Sequence, residues 1–416
     1  MRVNNAFLIL LYSFVASLFI IFNPQSLNYH YGDGGGKYED RVDSSSDYLI
    51  RNTVKANILT EGSYHIFPIR TIGYSDGNYD FNPNGMTSYT SNISFQTLPL
   101  TFFANVFGFK NESELDDYFS LFRIVTAVLF SILVTLLYFC FCYDASYKTH
   151  FLIPFLVGGS AGFVFFAQNL YFLPILMVFP PVLMVFQLVF FGNKSKFWVF
   201  VLSVIFFCRG YEFATVYSLL MAFLAFYFTR GDIRYKLSQG ALVFGITCVS
   251  FVFSIFIHIS LLSFDSGWEL SFFDSLRTAF GSLTHRTLSV NGVVMPFTDA
   301  FYQTMWGRLS KVAFSWCDGF PNIKELYVIV FLFLSILISS FSHRNLLNNI
   351  TIIAAYGIVS YLSWYVFAYQ HIMWHGMYDW YIFSLTLGLS FGFISLILLN
   401  DFYGYVKRRK FLFSWL

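Results

Sequence analysis

The residues best placed to do chemistry are acids that gather just after the first apolar stretch. Asp33, Glu39, Asp40, Asp43 and Asp47 lead into YLIRNTVKANILTEG. Its apolar positions Leu49, Ile50, Val54, Ile58 and Leu59 predict a helix that stops at Gly62. A carboxylate held beside an acceptor hydroxyl can take its proton as a new bond forms to that oxygen. A plainer role competes with this one. Ser44, Ser45, Ser46 and Asp47 are all good N-cap residues, and acids in a solvated loop commonly cap or simply face water.

Cations that can hold a phosphate lie further along. Arg209 and Glu212 sit between two short apolar runs, where an ionisable residue is costly and marks a functional candidate. A structural ion pair within one turn explains them equally well. A later polar stretch carries His285-Arg286, then Arg308 and Lys311, whose spacing predicts a shared helix face. Arg suits this work because its planar fork matches phosphate oxygens. Ordinary solvated surface is the plainer reading of these cations.

The stretch HIMWHGMYDWY (371–381) spaces His371, His375 and Asp379 at i, i+4 and i+8. Two His and a carboxylate are a divalent-metal set. Three ligands along one straight helix face span about two turns, too far for one ion unless the chain bends at Gly376. No cofactor is therefore expected, and a metal only through such a bend. Otherwise His371 and His375 contact phosphate or sugar, while Trp374, Tyr378, Trp380 and Tyr381 form an interfacial belt or stack on sugar rings.

The elements that must position these groups are apolar. Of 416 residues, 56% are hydrophobic and 12% charged, against roughly a quarter charged in a soluble domain, so lipid must solvate most of the chain. The fold class expected is an all-α polytopic membrane protein. Ten apolar segments are candidate spans: 5–23, 118–142, 150–168, 173–191, 197–210, 212–228, 239–263, 326–341, 350–369 and 382–399. The first is read as a retained helix, since it lacks a small-residue cleavage site. Lys148, Lys194, Lys196, Arg230, Arg234, Lys236, Arg344 and the tail residues Lys407 to Lys410 fall in alternate turns, while the turns near 169–172 and 371–381 hold no Lys or Arg. Both termini are therefore expected in the cytoplasm.

The chain then divides into a first transmembrane helix (1–23) and a large outer loop (24–117). Helices two to seven (118–263), a second outer loop (264–325), helices eight to ten (326–399) and a basic tail (400–416) follow. The apolar run 95–108 is too short to span and suits a juxtamembrane helix. A net charge of +2 without a basic stripe excludes nucleic acid as a partner. The five cysteines form no CxxC or Cys/His cluster and read as packing residues.

An acid just before a short helix, directly after the first span, resembles the GT-C superfamily of membrane glycosyltransferases. The residues that carry the resemblance are DSSSDYLIRNTVKANILTEG (43–62), GYSDGN (73–78) and SYTSNISFQ (88–96). Asp47 fits the family's acid best and Asp43 next, while Glu39-Asp40 is the adjacent acidic pair of the kind the family often shows. Within that superfamily the chain is most similar in architecture to the serotype-converting O-antigen glucosyltransferases of phage and bacteria. The resemblance implies a GT-C-like fold of about ten spans with two large extracytoplasmic loops, in the bacterial inner membrane. It implies a donor of undecaprenyl-phosphate-linked sugar, glucose above all, and a lipid-linked O-antigen acceptor on the periplasmic face. In that scheme a first-loop Asp acts as base and the anomeric carbon inverts, with Arg209, Glu212, Arg286, Arg308, His371, His375 and Tyr381 around the donor. An O-antigen polymerase and a flippase or transporter of lipid-linked sugars are the alternative classes.

Overall fold

The computed structural model describes residues 3–24, 44–60, 64–70, 81–83, 85–192, 195–265, 269–288, 296–341, 344–368 and 378–413. The chain is mostly helical. Six helices are long and apolar enough to cross a membrane: Asn5–Phe22 within α1 (Val3–Phe22), α4 (Glu112–Asp144), α7 (Pro174–Phe191), α10 (Ile233–Asp265), Leu346–Phe367 within α14 (Arg344–Phe367), and Tyr378–Lys407 near the C-terminus. Large apolar side chains stand exposed along them, among them Phe7 and Phe14 on α1 and Val252, Phe253 and Phe256 on α10, as lipid contact requires.

Between the spans run shorter elements. α2 (Ser44–Leu59) and α3 (Thr97–Phe107) follow α1, with a two-stranded ribbon of β1 (Ile69–Arg70) and β2 (Thr87–Ser88) between them. α3 ends at Gly108, whose φ of 74° caps the helix in the left-handed conformation. It is the short apolar helix expected over 95–108. α8 (Lys196–Arg209) and α9 (Ala214–Phe228) pack against α10. α11 (Phe272–Leu288) and α12 (Phe297–Leu309) precede a second ribbon, β3 (Val312–Phe314) with β4 (Ile323–Lys324), and then α13 (Glu325–Ser340).

The expected third span, 150–168, is not one helix. It divides into α5 (Ile153–Gly158) and α6 (Ala161–Phe166), broken at Gly159-Ser160. A broken helix frees backbone groups that hydrocarbon cannot satisfy. The β3 region packs into the break: Ser315 N–H donates to the Gly159 carbonyl at 2.8 Å, and the Trp316 indole adds a second donor at 2.8 Å to the Phe155 carbonyl, which already accepts from Gly159 N–H. Ser160 forms a β-bridge with Phe314.

The C-terminal span carries an irregularity facing this break. α15 (Tyr378–Phe383) passes through a π-helical turn at Ser384–Gly388 before α16 (Leu389–Phe413). The Ser384 hydroxyl accepts from Ser160 Oγ at 2.7 Å and from Gly162 N–H at 3.1 Å. Gly162 permits the approach, since a Cβ there would overlap the Trp380 carbonyl oxygen. Gly162→Ala is expected to destabilise the protein by about 1–3 kcal/mol through overpacking, read as an earlier midpoint in a reversible denaturant titration. A midpoint equal to wild type would mean that the two helices do not pack this closely.

Candidate functional site

α2 is polar, yet it lies almost wholly enclosed: Asp47, Asn52, Thr53 and Lys55 are all buried. Charge explains its seat. Asp47, Arg51 and Lys55 recur every four residues and so share one helix face. Beside them the first turns of α4 present the complementary series in reverse order. Asp47 pairs with Arg123, Arg51 with Asp116 at 2.8 Å, and Lys55 with Glu112 at 3.2 Å and Asp116 at 3.1 Å. The outer rungs are half exposed and worth little singly, whereas the Asp47 rung is shut off from solvent.

Asp47 does not cap α2 but sits inside its first turn. Arg123 donates to its Oδ2, and the Leu170 backbone N–H donates to Oδ1 at 3.2 Å. Burial pushes its carboxyl above the usual carboxylate range, with Arg123 and Arg51 pulling the other way. Next to it, Ser46 Oγ lies 3.2 Å from the Tyr378 hydroxyl, which ties α2 to the start of α15.

The link between α6 and α7 joins Asp47 to Arg209. Leu170 donates to Asp47, and two residues on, the Phe172 carbonyl accepts from Arg209 Nη1 at 2.8 Å. Arg209 is fully buried at the end of α8, its guanidinium flanked by the rings of Phe206, Phe213 and Phe172 at 4.9, 5.5 and 5.7 Å. Glu212 faces it at 3.9 Å, so the i,i+3 pair exists. Gly210 allows it, because a Cβ there would strike the Glu212 carboxylate. Tyr171 and Asn92 gather on Glu212, with Asn92 Nδ2 donating to the Tyr171 hydroxyl at 2.6 Å and Gln96 Nε2 to the Tyr171 carbonyl at 2.6 Å. The tract 88–96 therefore packs on the α8–α9 turn. Tyr381, buried, lies with its ring 5.6 Å from Phe213.

A second acidic centre lies on α15. Asp379 is fully buried and accepts from Tyr365 at 2.7 Å and Tyr361 at 3.0 Å. Arg308 Nε stands 3.7 Å away. Glu325, buried at the start of α13, adjoins the same charges, and its Oε1 makes no hydrogen bond. Lys311 lies 5.6 Å from the Trp380 ring centroid; partial burial and the Arg308 charge hold its ammonium below the usual lysine range, with Glu325 opposing.

These positions revise several expectations. Arg308 and Lys311 do not share a helix face, because α12 ends at Leu309 and Lys311 enters the β3 ribbon. Asp379 meets tyrosines and Arg308, while His371 and His375 lie outside the described residues, as do Glu39, Asp40 and Asp43. Arg286 falls on α11 with its side chain outside the description. Among the described residues no group of three or more His, Cys, Asp or Glu is placed to hold a metal ion. Arg123, Glu325, Tyr361, Tyr365 and Asn92 were not singled out from the sequence. Arg123 had a signal, a lone cation inside the apolar run of the second span. No protein-family model, curated protein or solved structure matches the chain.

Removing one partner of the enclosed Asp47–Arg123 pair leaves an uncompensated charge, at a cost of roughly 3–5 kcal/mol. Arg123→Gln is expected to lose about that much stability, and Asp47→Asn together with Arg123→Gln to regain most of it. Additive losses in this double-mutant cycle would show that the pair is not coupled.

Proposed function

We propose that this chain is a membrane glycosyltransferase that uses Asp47 as base to move a sugar from a polyprenyl-phosphate donor to a lipid-linked acceptor. The observation that carries the reading is the junction of Asp47, Ser46, Tyr378 and Arg209 around the 170–172 backbone. There a carboxylate, hydroxyls and an arginine meet at one end of an apolar bundle. A carboxylate offers about four lone-pair sites, and the contacts with Arg123 and Leu170 take two. The others can accept from an acceptor hydroxyl. As that hydroxyl loses its proton to Asp47, its oxygen attacks the anomeric carbon and the phosphate departs with the bonding pair, inverting the centre. Arg209, or Arg308 with Lys311, then offsets the charge growing on the phosphate.

The resemblance of residues 43–62 and 88–96 to GT-C enzymes supports the class of reaction. Undecaprenyl-phosphate glucose as donor, O-antigen as acceptor, about ten spans and a bacterial inner-membrane setting all follow from the same resemblance. The alternation of Lys and Arg among the turns supports cytoplasmic termini and hence a periplasmic site. The enclosure of Asp47 favours a second reading, in which the Asp47–Arg123 pair only fastens α2 to α4.

Asp47→Asn separates the two. As a base, Asp47 is worth roughly 10²–10⁴ in rate, so sugar transfer from polyprenyl-phosphate hexose, measured per molecule accumulated in the membrane, should fall by that factor, beyond any loss of accumulation caused by breaking the pair with Arg123. Near-normal transfer by well-accumulated variant would refute the base, and a loss of accumulation alone would support the fastener. For wild type, transfer should decline as pH falls through a value above the ordinary carboxylate range, because burial raises the Asp47 carboxyl and the base must be ionised. Glycan analysis with and without the gene checks the class: lost side branches fit a transferase, altered chain length a polymerase, and loss of all surface glycan a flippase.

A further inference from the structure

The end of the bundle away from Asp47 holds a cavity of about 590 Å³. From Arg123 to Asp144 the α4 axis rises about 30 Å at 1.5 Å per residue, the thickness of a hydrocarbon core. Asp144 lines the cavity, so the cavity lies at the headgroup depth of the opposite leaflet. Three aromatic rings, Phe139 and Tyr143 of α4 and Tyr147 in the turn that follows, share its lining with polar side chains such as Asn5 and Ser146. Its charges come from three separate elements, with Lys148 and Arg230 against Asp144.

The cations are not equally engaged. Arg230 Nη2 pairs with Asp144 at 3.2 Å. Lys148 makes no ion pair among the described residues, and its turn is fixed where its backbone N–H donates to Asn400 Oδ1 at 3.0 Å. His150 also lines the cavity, its Nδ1 2.9 Å from the Tyr12 hydroxyl. The bias of Lys and Arg toward one side of a membrane accounts for cations at this depth. It does not account for a ligand-sized hollow that brings them together with aromatic rings.

We propose that this cavity binds the phosphate headgroup of an anionic phospholipid, with Lys148 and Arg230 on the phosphate and the aromatic rings against the glycerol and upper acyl chain. Interfacial aromatics and a phosphate-matching Arg suit that ligand, and the bilayer presents it at this depth. The proposal is independent of the transferase reading, since the cavity lies a membrane thickness from Asp47.

The test is native mass spectrometry of the detergent-purified full chain with phosphatidylglycerol or phosphatidylcholine of matched chains. Wild type should retain phosphatidylglycerol in preference. Each cation at a membrane surface is worth roughly fivefold in affinity, so Lys148→Gln with Arg230→Gln should lower retention by about 25-fold. Asp144→Asn, which releases Arg230 from its carboxylate, should raise it. Equal retention of both lipids, or no change in either variant, would overturn the site. Displacement of the lipid by inorganic phosphate alone would show a free-phosphate site instead and overturn the lipid assignment.

Discussion

The structure depends on one electrostatic constraint, the antiparallel matching of α2 and α4. α2 buries Leu49, Ile50 and Val54 in the core, but apolar contact is non-directional and does not by itself set direction or register. Here Asp47, Arg51 and Lys55 meet Arg123, Asp116 and Glu112 in reverse order, so the helix has one direction and one register in which all three rungs close. A slip by one turn would oppose like charges. The innermost rung gains most from exclusion of water, because Coulomb attraction strengthens as the effective dielectric falls. That rung holds the carboxylate which the proposed chemistry uses.

From Asp47 the constraint passes inward through backbone rather than through further charges. The Leu170 N–H and the Phe172 carbonyl serve Asp47 and Arg209 from the same short link. Arg209 is held as a charge among three aromatic faces, an arrangement that stabilises a cation while leaving its Nε without a hydrogen bond. The Asp379 centre is built differently. Two tyrosine hydroxyls satisfy the carboxylate, and Arg308 approaches from a polar segment outside the bundle. Two buried acids with unlike surroundings thus stand on α2 and α15, elements joined by the Ser46–Tyr378 contact.

Much of this frame was legible in the sequence, and the reason is solvent. Long apolar runs read directly as α1, α4, α7, α10 and α14, since lipid rewards nothing else. The short helices at 44–59 and 97–107 also showed in periodicity and length. Arg209 stood out as a charge in a costly place, and Asp47 and Arg308 as charges in polar stretches beside the spans. Partners were the illegible part. Arg123 showed as a lone cation in an apolar run, but its partner was hidden because Asp47 lies 76 residues earlier, and no local spacing reports that. The break at Gly159-Ser160 had a cue in the run Gly158-Gly159-Ser160, yet a continuous apolar window masked it. Lys311 was misplaced onto a helix because an i,i+3 spacing persists on paper after the helix itself has stopped.

That break also sets an order of events. The Gly159 carbonyl finds its donor in Ser315 and the Gly162 N–H its acceptor in the Ser384 hydroxyl, both far later in the chain. A chain made from its N-terminus must commit the α5–α6 segment to the bilayer while those partners do not yet exist. Until β3 and the last span are synthesised and dock, the Gly159 carbonyl and the Gly162 N–H stay open to a lipid that cannot fill them. The bundle therefore closes late and from its C-terminal third, and a nascent chain stopped before residue 312 is left with an unsealed seam.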